Sequence, residues 1–268
     1  MTKTMRKAEA AKRIALQAGS LLLEHYLQDG ASTAKGERDL FTQADIAAQE
    51  LIFNAIRKEF PSHELIGEEG FNGSIPTAER LWLVDPLDGT ANFEAGFPHF
   101  NVSIAVVNST REEFTPLAGA IYAPCAKELY SAERGKGAFL NGKPIRVSQR
   151  PLRESIAATY IPGNAARGAA AIGAMQRLHP NARRIRVLSG GAIDCCWVAE
   201  GKLAAYFAFS STPWDHAAAN LMVTEAGGAV STADGSPWNL GSKSVVNANT
   251  QETLRAIVAA MTGGKQNE

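Results

Sequence analysis

The spacing of apolar residues changes character at Pro61, and that change bounds the architectures open to the chain. Before it, apolar side chains recur every three to four residues, the period of a helix that buries one face. Ile14, Ala18, Leu21, Leu22 and Tyr26 form one such stripe and predict a helix over Lys7–Leu27. Ala47, Leu51, Ile52, Ala55 and Ile56 form a second, predicted to start near Thr42 and to stop at Pro61, since proline cannot continue a helix. The polar, Gly-containing stretch Asp29–Arg38 between them predicts a loop. Beyond Pro61 the apolar runs are short, β-branched or aromatic, and bounded by Gly and Pro, as strands are. Arg80–Val84, Asn101–Val107 and Leu117–Tyr122 are of this kind, and Leu65-Ile66 marks another strand end. Asn141-Gly142, between Gly137–Leu140 and Ile145–Val147, predicts a hairpin turn, because Asn and Gly tolerate positive φ.

After Pro151 strands and helices alternate. Strands are expected at Ser155–Tyr160, Arg184–Leu188, Leu203–Phe207 and Ser244–Asn247. Helices are expected around Arg167–Leu178, Ala192–Glu200 and Trp214–Ala226, the last capped by Gly227-Gly228, with a further helix closing the chain. Residues 1–147 thus read as an α+β half with antiparallel pairs, and 148–268 as an alternating α/β half. A chain of 268 residues with 45% hydrophobic side chains can bury a substantial core.

Lys+Arg and Asp+Glu total 27 each, so no global field recruits nucleic acid or an acidic membrane surface. Cys125, Cys195 and Cys196 are odd in number and lack metal-site spacing, which points to reduced thiols and a cytoplasmic location. The first helix is interrupted by Lys12, Arg13, Gln17 and Glu24, so it reads neither as a signal peptide nor as a membrane span.

The densest chemical signal is Leu81-Trp82-Leu83-Val84-Asp85-Pro86-Leu87-Asp88-Gly89-Thr90. An apolar strand ends at Asp85, Pro86 interrupts it, and Asp88 follows at a turn. Two carboxylates joined by a tight turn can converge on a hard cation such as Mg²⁺. The glycine and the short segment Ala91-Asn92-Phe93, read as a helix start, offer backbone N–H groups to a phosphate. Asp-Pro and Asp-Gly are equally ordinary turn dipeptides. The other acids also have plain readings: Gly67-Glu68-Glu69-Gly70 as a solvated loop, Asp215 as a first-turn acid favoured by the helix dipole, and Asp45 as part of a Thr42-Gln43-Ala44-Asp45 capping box. His216 reads as structural.

Taken together, Gly67-Glu68-Glu69, Asp85-Pro86-Leu87-Asp88-Gly89-Thr90, and Trp214-Asp215-His216-Ala217-Ala218 followed by Glu225-Ala226-Gly227-Gly228 resemble the inositol monophosphatase family, of the magnesium-dependent, lithium-sensitive phosphatase superfamily. The resemblance runs from Asp45 to the last strand. It implies a layered αβαβα sandwich of the inositol monophosphatase / fructose-1,6-bisphosphatase type, often a homodimer, with the active site between the two halves. It further implies two or three Mg²⁺ ions. Glu68, Asp85 and the Leu87 carbonyl would hold the first, and Asp85, Asp88 and Asp215 the second. Gly89 and Thr90 would hold phosphate oxygens, and Ser189, Gly190 and Gly191 would contact the alcohol part of the substrate. Asp45, Glu68 and Thr90 would orient and activate the attacking water.

The chain departs from the pattern at Ala208, seven residues before Asp215, where inositol-cleaving members carry a Glu that binds ring hydroxyls. The expected activity is hydrolysis of a small phosphomonoester, inositol monophosphatase-like. Histidinol phosphate, a sugar phosphate such as fructose bisphosphate, and 3′-phosphoadenosine 5′-phosphate are alternative substrates. The segment Pro162–Arg167 is a further candidate lining. A non-enzymatic alternative is a regulatory relative that binds RNA or transcription machinery through a patch such as Arg183-Arg184-Ile185-Arg186.

Overall fold

The computed structural model describes residues 3–29, 37–110 and 114–264. The first two helices, α1 (Lys3–Asp29) and α2 (Glu37–Glu59), lie together on one face of a sheet. Ile14, Ala18 and Leu22 of α1 and Ala48, Ile52 and Ile56 of α2 are fully buried there, so the helical stripe is the packed face, shifted on α2 by one position from Ala47 and Leu51. Of the segment 29–38 expected as a loop, residues 30–36 lie outside the described residues, and Asp29, Glu37 and Arg38 are helical. The second helix begins a turn before Thr42, because nothing in Glu37–Phe41 breaks a helix. Asp45 therefore sits in its third turn, and the capping-box reading of Asp45 is corrected.

The sheet under these helices has seven strands in sequence order: β1 (Glu64–Gly67), β2 (Ala78–Asp88), β3 (Asn101–Ser109), β4 (Phe114–Ala123), β5 (Glu128–Glu133), β6 (Gly137–Leu140) and β7 (Lys143–Ile145). Every neighbouring pair is antiparallel except β1 with β2. The expected turn holds: Asn141 and Gly142 take φ 49° and 77° between β6 and β7. β2 does not end at Asp85. It runs past Pro86 to Asp88 by a bulge, since Asp85 pairs with Ser103 and Asp88 with Asn101. The extra residue lets a proline without N–H sit in the ladder.

A second sheet of five strands runs in the order β11 (Ala229–Ser231), β12 (Val245–Ala248), β10 (Ala205–Ala208), β8 (Ile156–Thr159), β9 (Arg184–Val187). Between the sheets lie α5 (Gly191–Ala199) and α6 (Pro213–Glu225), both buried almost all round, as helices covered on both faces must be. The helices α4 (Ala165–Leu178) and α7 (Gln251–Thr262) close the outer face. Strand β10 shows why both faces are apolar: Tyr206 and Ala208 pack inward, Ala205 and Phe207 outward. The layers are helix, sheet, helix, sheet, helix, the expected αβαβα sandwich. The periodicity marked neither β5, whose Glu128 and Glu133 dilute the apolar signal, nor the three-residue β11. Among the described residues, no helix is long and apolar enough to cross a membrane.

Candidate active site

Because β1 and β2 are parallel, both deliver their C-terminal ends to one edge of the first sheet. Trp82 and Val84 face the outer helices while Leu81 and Leu83 face the middle layer. Strand alternation therefore turns Asp85 inward as well. Glu68 follows β1, its N–H donating to the Val84 carbonyl at 3.2 Å. Gln49 of α2 fixes the next residue, accepting from the Glu69 N–H (3.2 Å) and donating to its carbonyl (2.9 Å).

Asp215 arrives from the other half of the chain. Thr212 caps α6, its hydroxyl oxygen accepting from the Asp215 N–H and its hydroxyl donating to the Asp215 carboxylate. Ser103 of β3 donates to the Trp214 carbonyl at 3.1 Å and fastens that first turn to the sheet. One carboxylate oxygen from each of Glu68, Asp85 and Asp215 then lies within 4.8 Å of the others. Glu68 is exposed, Asp215 half-buried and Asp85 buried.

Acids this close, around a buried Asp85, resist ionising together. Glu68 is pushed up to about 7 by desolvation and by the charges of Asp88 and Glu69. Asp215 is pushed up to about 7 by desolvation and Asp88. Asp85 is raised well above the carboxylate range by desolvation and by Glu68, Asp215, Asp88 and Asp45.

Asp88 lines the same cavity, outside that triplet. Its Oδ2 accepts from Asn101 Nδ2 at 2.8 Å and from the Ala192 N–H at 2.7 Å, so both halves of the chain orient it. Leu87 donates its N–H to Asp85 Oδ1 (3.1 Å), and its carbonyl accepts from the Thr90 hydroxyl (3.1 Å). Gly89, with φ 90°, starts the short helix α3 (Thr90–Glu94). A Cβ there would stand 2.8 Å from the His99 carbonyl oxygen, so only glycine fits.

Asp45 is placed differently. It is buried outside the cavity lining, its Oδ1 has no hydrogen-bond partner, and desolvation with the charges of Glu69 and Glu68 pushes it up to about 8. No hydrogen bond joins it to Thr90. Ser189 and Gly191 line the cavity, whereas Gly190 lies behind them against the His99 ring. Pro162–Arg167 contributes nothing to the lining, and Ala208 is fully buried.

The cavity measures about 490 Å³. The sequence reading missed Tyr160, Ile161, Tyr206 and Ser210 in its wall. His216 is buried and lowered to about 4 by desolvation. It stacks on Tyr206 and meets Ser211 Oγ at 3.2 Å. It keeps its structural role while also lining the cavity. Residues behind the wall, Asn92, His99, Asn101 and Asp194, carried no local signal either.

The family model described as "Inositol monophosphatase family" matches residues 5–264. The chain belongs to the inositol monophosphatase family. Inositol monophosphatase 1 of Solanum lycopersicum is 36% identical over 249 residues, covering 90% of this chain and 88% of its own. The Nus factor SuhB of Haemophilus influenzae is 38% identical over 244 residues, covering 89% of each. The solved inositol monophosphatase of Anabaena superposes with a TM-score of 0.85 at 27% identity, over 98% of this chain and 97% of that one. Family members thus share this two-sheet frame at full length, and the acids sit on the frame rather than on appended segments.

Proposed function

We propose that the chain is a Mg²⁺-dependent phosphatase that hydrolyses a small, polyol-like phosphomonoester, with inositol monophosphate as the reference substrate. One observation carries the reading: Glu68, Asp85 and Asp215, from three separate segments, converge within 4.8 Å, and desolvation together with the charge of Asp88 beside them suppresses the acidity of Glu68 and Asp215. An all-oxygen donor set fits a hard divalent cation, and neutralising the cluster relieves its repulsion. Glu68, Asp85 and the Leu87 carbonyl would hold one ion, Asp85, Asp88 and Asp215 a second, and Glu68 would serve a weaker third. When bound, the ions supply charge that lowers the pKa of a water and stabilises the leaving alkoxide.

The chain's own groups do the rest. The N–H groups of Gly89 and Thr90 hold phosphate oxygens, with Asp88 and Asp215 bordering the same pocket. Thr90 and Glu68 orient the attacking water, and Asp45, whose Oδ1 lacks an internal partner, would accept the proton through the Thr90 hydroxyl. That role requires Thr90 to turn its hydroxyl away from the Leu87 carbonyl. Ser189 and Gly191 border the alcohol part, beside Tyr160, Tyr206 and Ser210, whose hydroxyls suit a polyol. Ala208 provides no carboxylate for ring hydroxyls, which keeps histidinol phosphate, sugar phosphates and nucleotide 3′-phosphates in the comparison. Phosphate release with Mg²⁺ over that panel tests the reading: turnover of one or more esters, abolished by chelation, is expected. Release from none would sink it.

A second reading, a regulatory binding role, is favoured by the edge strand β9. Arg184 and Arg186 there are exposed and donate to the carbonyls of Arg183 and Ile185 at 2.7 and 3.3 Å. Fluorescence anisotropy with structured RNA at physiological salt tests it. Binding that an Arg184→Glu/Arg186→Glu variant loses would support it, and no binding would remove it.

A further inference from the structure

Behind the Ser189–Gly191 wall lies a pair that the proposed chemistry does not use. Asp194, in the first turn of α5, is completely buried. Its Oδ1 lies 2.9 Å from His99 Nε2, and its Oδ2 accepts from the Gly190 N–H at 3.3 Å. An ionised carboxylate can only accept, so the imidazole presents its proton on Nε2. His99 belongs to the segment between α3 and β3, so this contact spans the two halves of the chain. The turn is packed directly on the ring, since a Cβ on Gly190 would overlap the imidazole. The other side of His99 meets the Trp197 ring at 5.0 Å between centroids.

The same turn is held from a second direction. Asn92 Nδ2 donates to the carbonyls of His99 (2.9 Å), Leu188 (3.0 Å) and Ser189 (3.2 Å). Ser189 is held at φ 58°, a left-handed conformation that a serine adopts only when its surroundings impose it. One residue past Gly191, the Ala192 N–H reaches Asp88 Oδ2 at 2.7 Å. A continuous set of contacts therefore leads from His99 through Asp194, Gly190 and Ala192 to Asp88.

We propose that His99 and Asp194 are positioning residues, a latch between the two halves that sets the Ser189–Gly191 turn for the alcohol part of the substrate, while Asn101 holds Asp88 independently of it. Neither residue lines the cavity, so neither touches substrate. The kinetic consequence rests on the proposed phosphatase reading, and the structural one does not. Asp194→Asn keeps the side-chain volume but replaces the charged acceptor with an amide, so either the Gly190 N–H loses its acceptor or the imidazole must move its proton from Nε2 to Nδ1. His99→Ala removes the latch, and His99→Gln retains an amide N–H in place of Nε2.

Hydrogen exchange followed by mass spectrometry should show several-fold faster uptake across residues 188–194 in His99→Ala and Asp194→Asn, with α7 unchanged. In both variants KM for the ester that the panel ranks first should rise about tenfold. The inhibition constant of inorganic phosphate, held at Gly89 and Thr90, should move less than twofold, and His99→Gln should recover most of the loss. Unchanged exchange in both variants overturns the latch. So does a parallel shift of KM and the phosphate constant, or a Gln variant no better than Ala. If His99→Ala does not fold, Asp194→Asn and His99→Gln decide. If the native protein releases no phosphate, the phosphatase reading fails, and the exchange result alone decides the latch.

Discussion

Replacing Asp85 with Asn separates the two demands made on the acidic cluster. Asp85 is 2% exposed, and burial first, then the charges of Glu68, Asp215, Asp88 and Asp45, raise it. Carboxylate oxygens at the 4.8 Å limit of the triplet repel by about 3.5 kcal/mol per ionised pair at an effective dielectric of about 20. Glu68 is exposed, so water screens part of this, and about 2 kcal/mol is a net gain for removing a carboxylate that must either bear its charge there or hold a proton that the unfolded chain releases. Asn keeps an oxygen for the Leu87 N–H, so the local geometry survives. At pH 8 with chelator, Asp85→Asn should therefore raise the melting temperature by about 4–8 °C for a chain of this size. Added Mg²⁺ should then give little further stabilisation, and phosphate release should fall by about a hundredfold or more, as expected when the central ligand of a metal site is lost. Differential scanning calorimetry with and without Mg²⁺, beside the phosphate assay, measures all three. A metal-free variant less stable than the native protein would refute the argument that the buried, crowded Asp85 carboxylate costs the metal-free fold stability, as would full retention of the Mg²⁺ effect.

The remaining expectations follow from the same site. Glu68 and Asp215 are raised to about 7 and Asp45 to about 8, while the unfolded values lie near 4. Between about pH 4 and 8 the folded state thus holds more protons than the unfolded one, so metal-free stability must fall as pH rises through that window and level off above it. Mg²⁺ competes with those protons, so its stabilising effect should be larger at pH 8 than at pH 6; a melting series in which metal-free stability climbs from pH 6 to 8 contradicts this. Gly89→Ala places a Cβ 2.8 Å from the His99 carbonyl at φ 90°, which should destabilise the fold by about 1–3 kcal/mol and lower turnover at least tenfold. Ala208 shares an inward strand face with Tyr206, which lines the cavity. Ala208→Glu should lower KM for inositol 1-phosphate about tenfold, since a hydrogen bond to a charged group contributes about 1.5–3 kcal/mol; an unchanged KM would show that the side chain does not reach the substrate.

Local patterns carried much of the fold. The stripe Ile14, Ala18 and Leu22, the Asn141-Gly142 turn and the positive φ of Gly227 after α6 depend on contacts within a few residues, so their signals sit in contiguous sequence. The cap-like Thr42 hid the start of α2, since nothing in Glu37–Phe41 breaks a helix, and at Pro86 strand pairing overrides a local stop signal. Asp45 shows the same limit: its four-residue motif suggests a cap, and its burial beside Glu68 and Glu69 appears only when α2 is laid along the edge of the sheet.

By itself the sequence determined which acids exist and that their motifs match one phosphatase family. Tertiary structure decided that they meet. The parallel pairing of β1 with β2 sends Glu68 and Asp85 to one edge, and the buried α6 brings Asp215 across from the other half. His99 and Asp194, 95 residues apart, acquire a role only there. The physical reason is range: dihedral preference and apolar period act over a turn or a strand, whereas strand pairing and charge convergence are set by which surfaces bury one another.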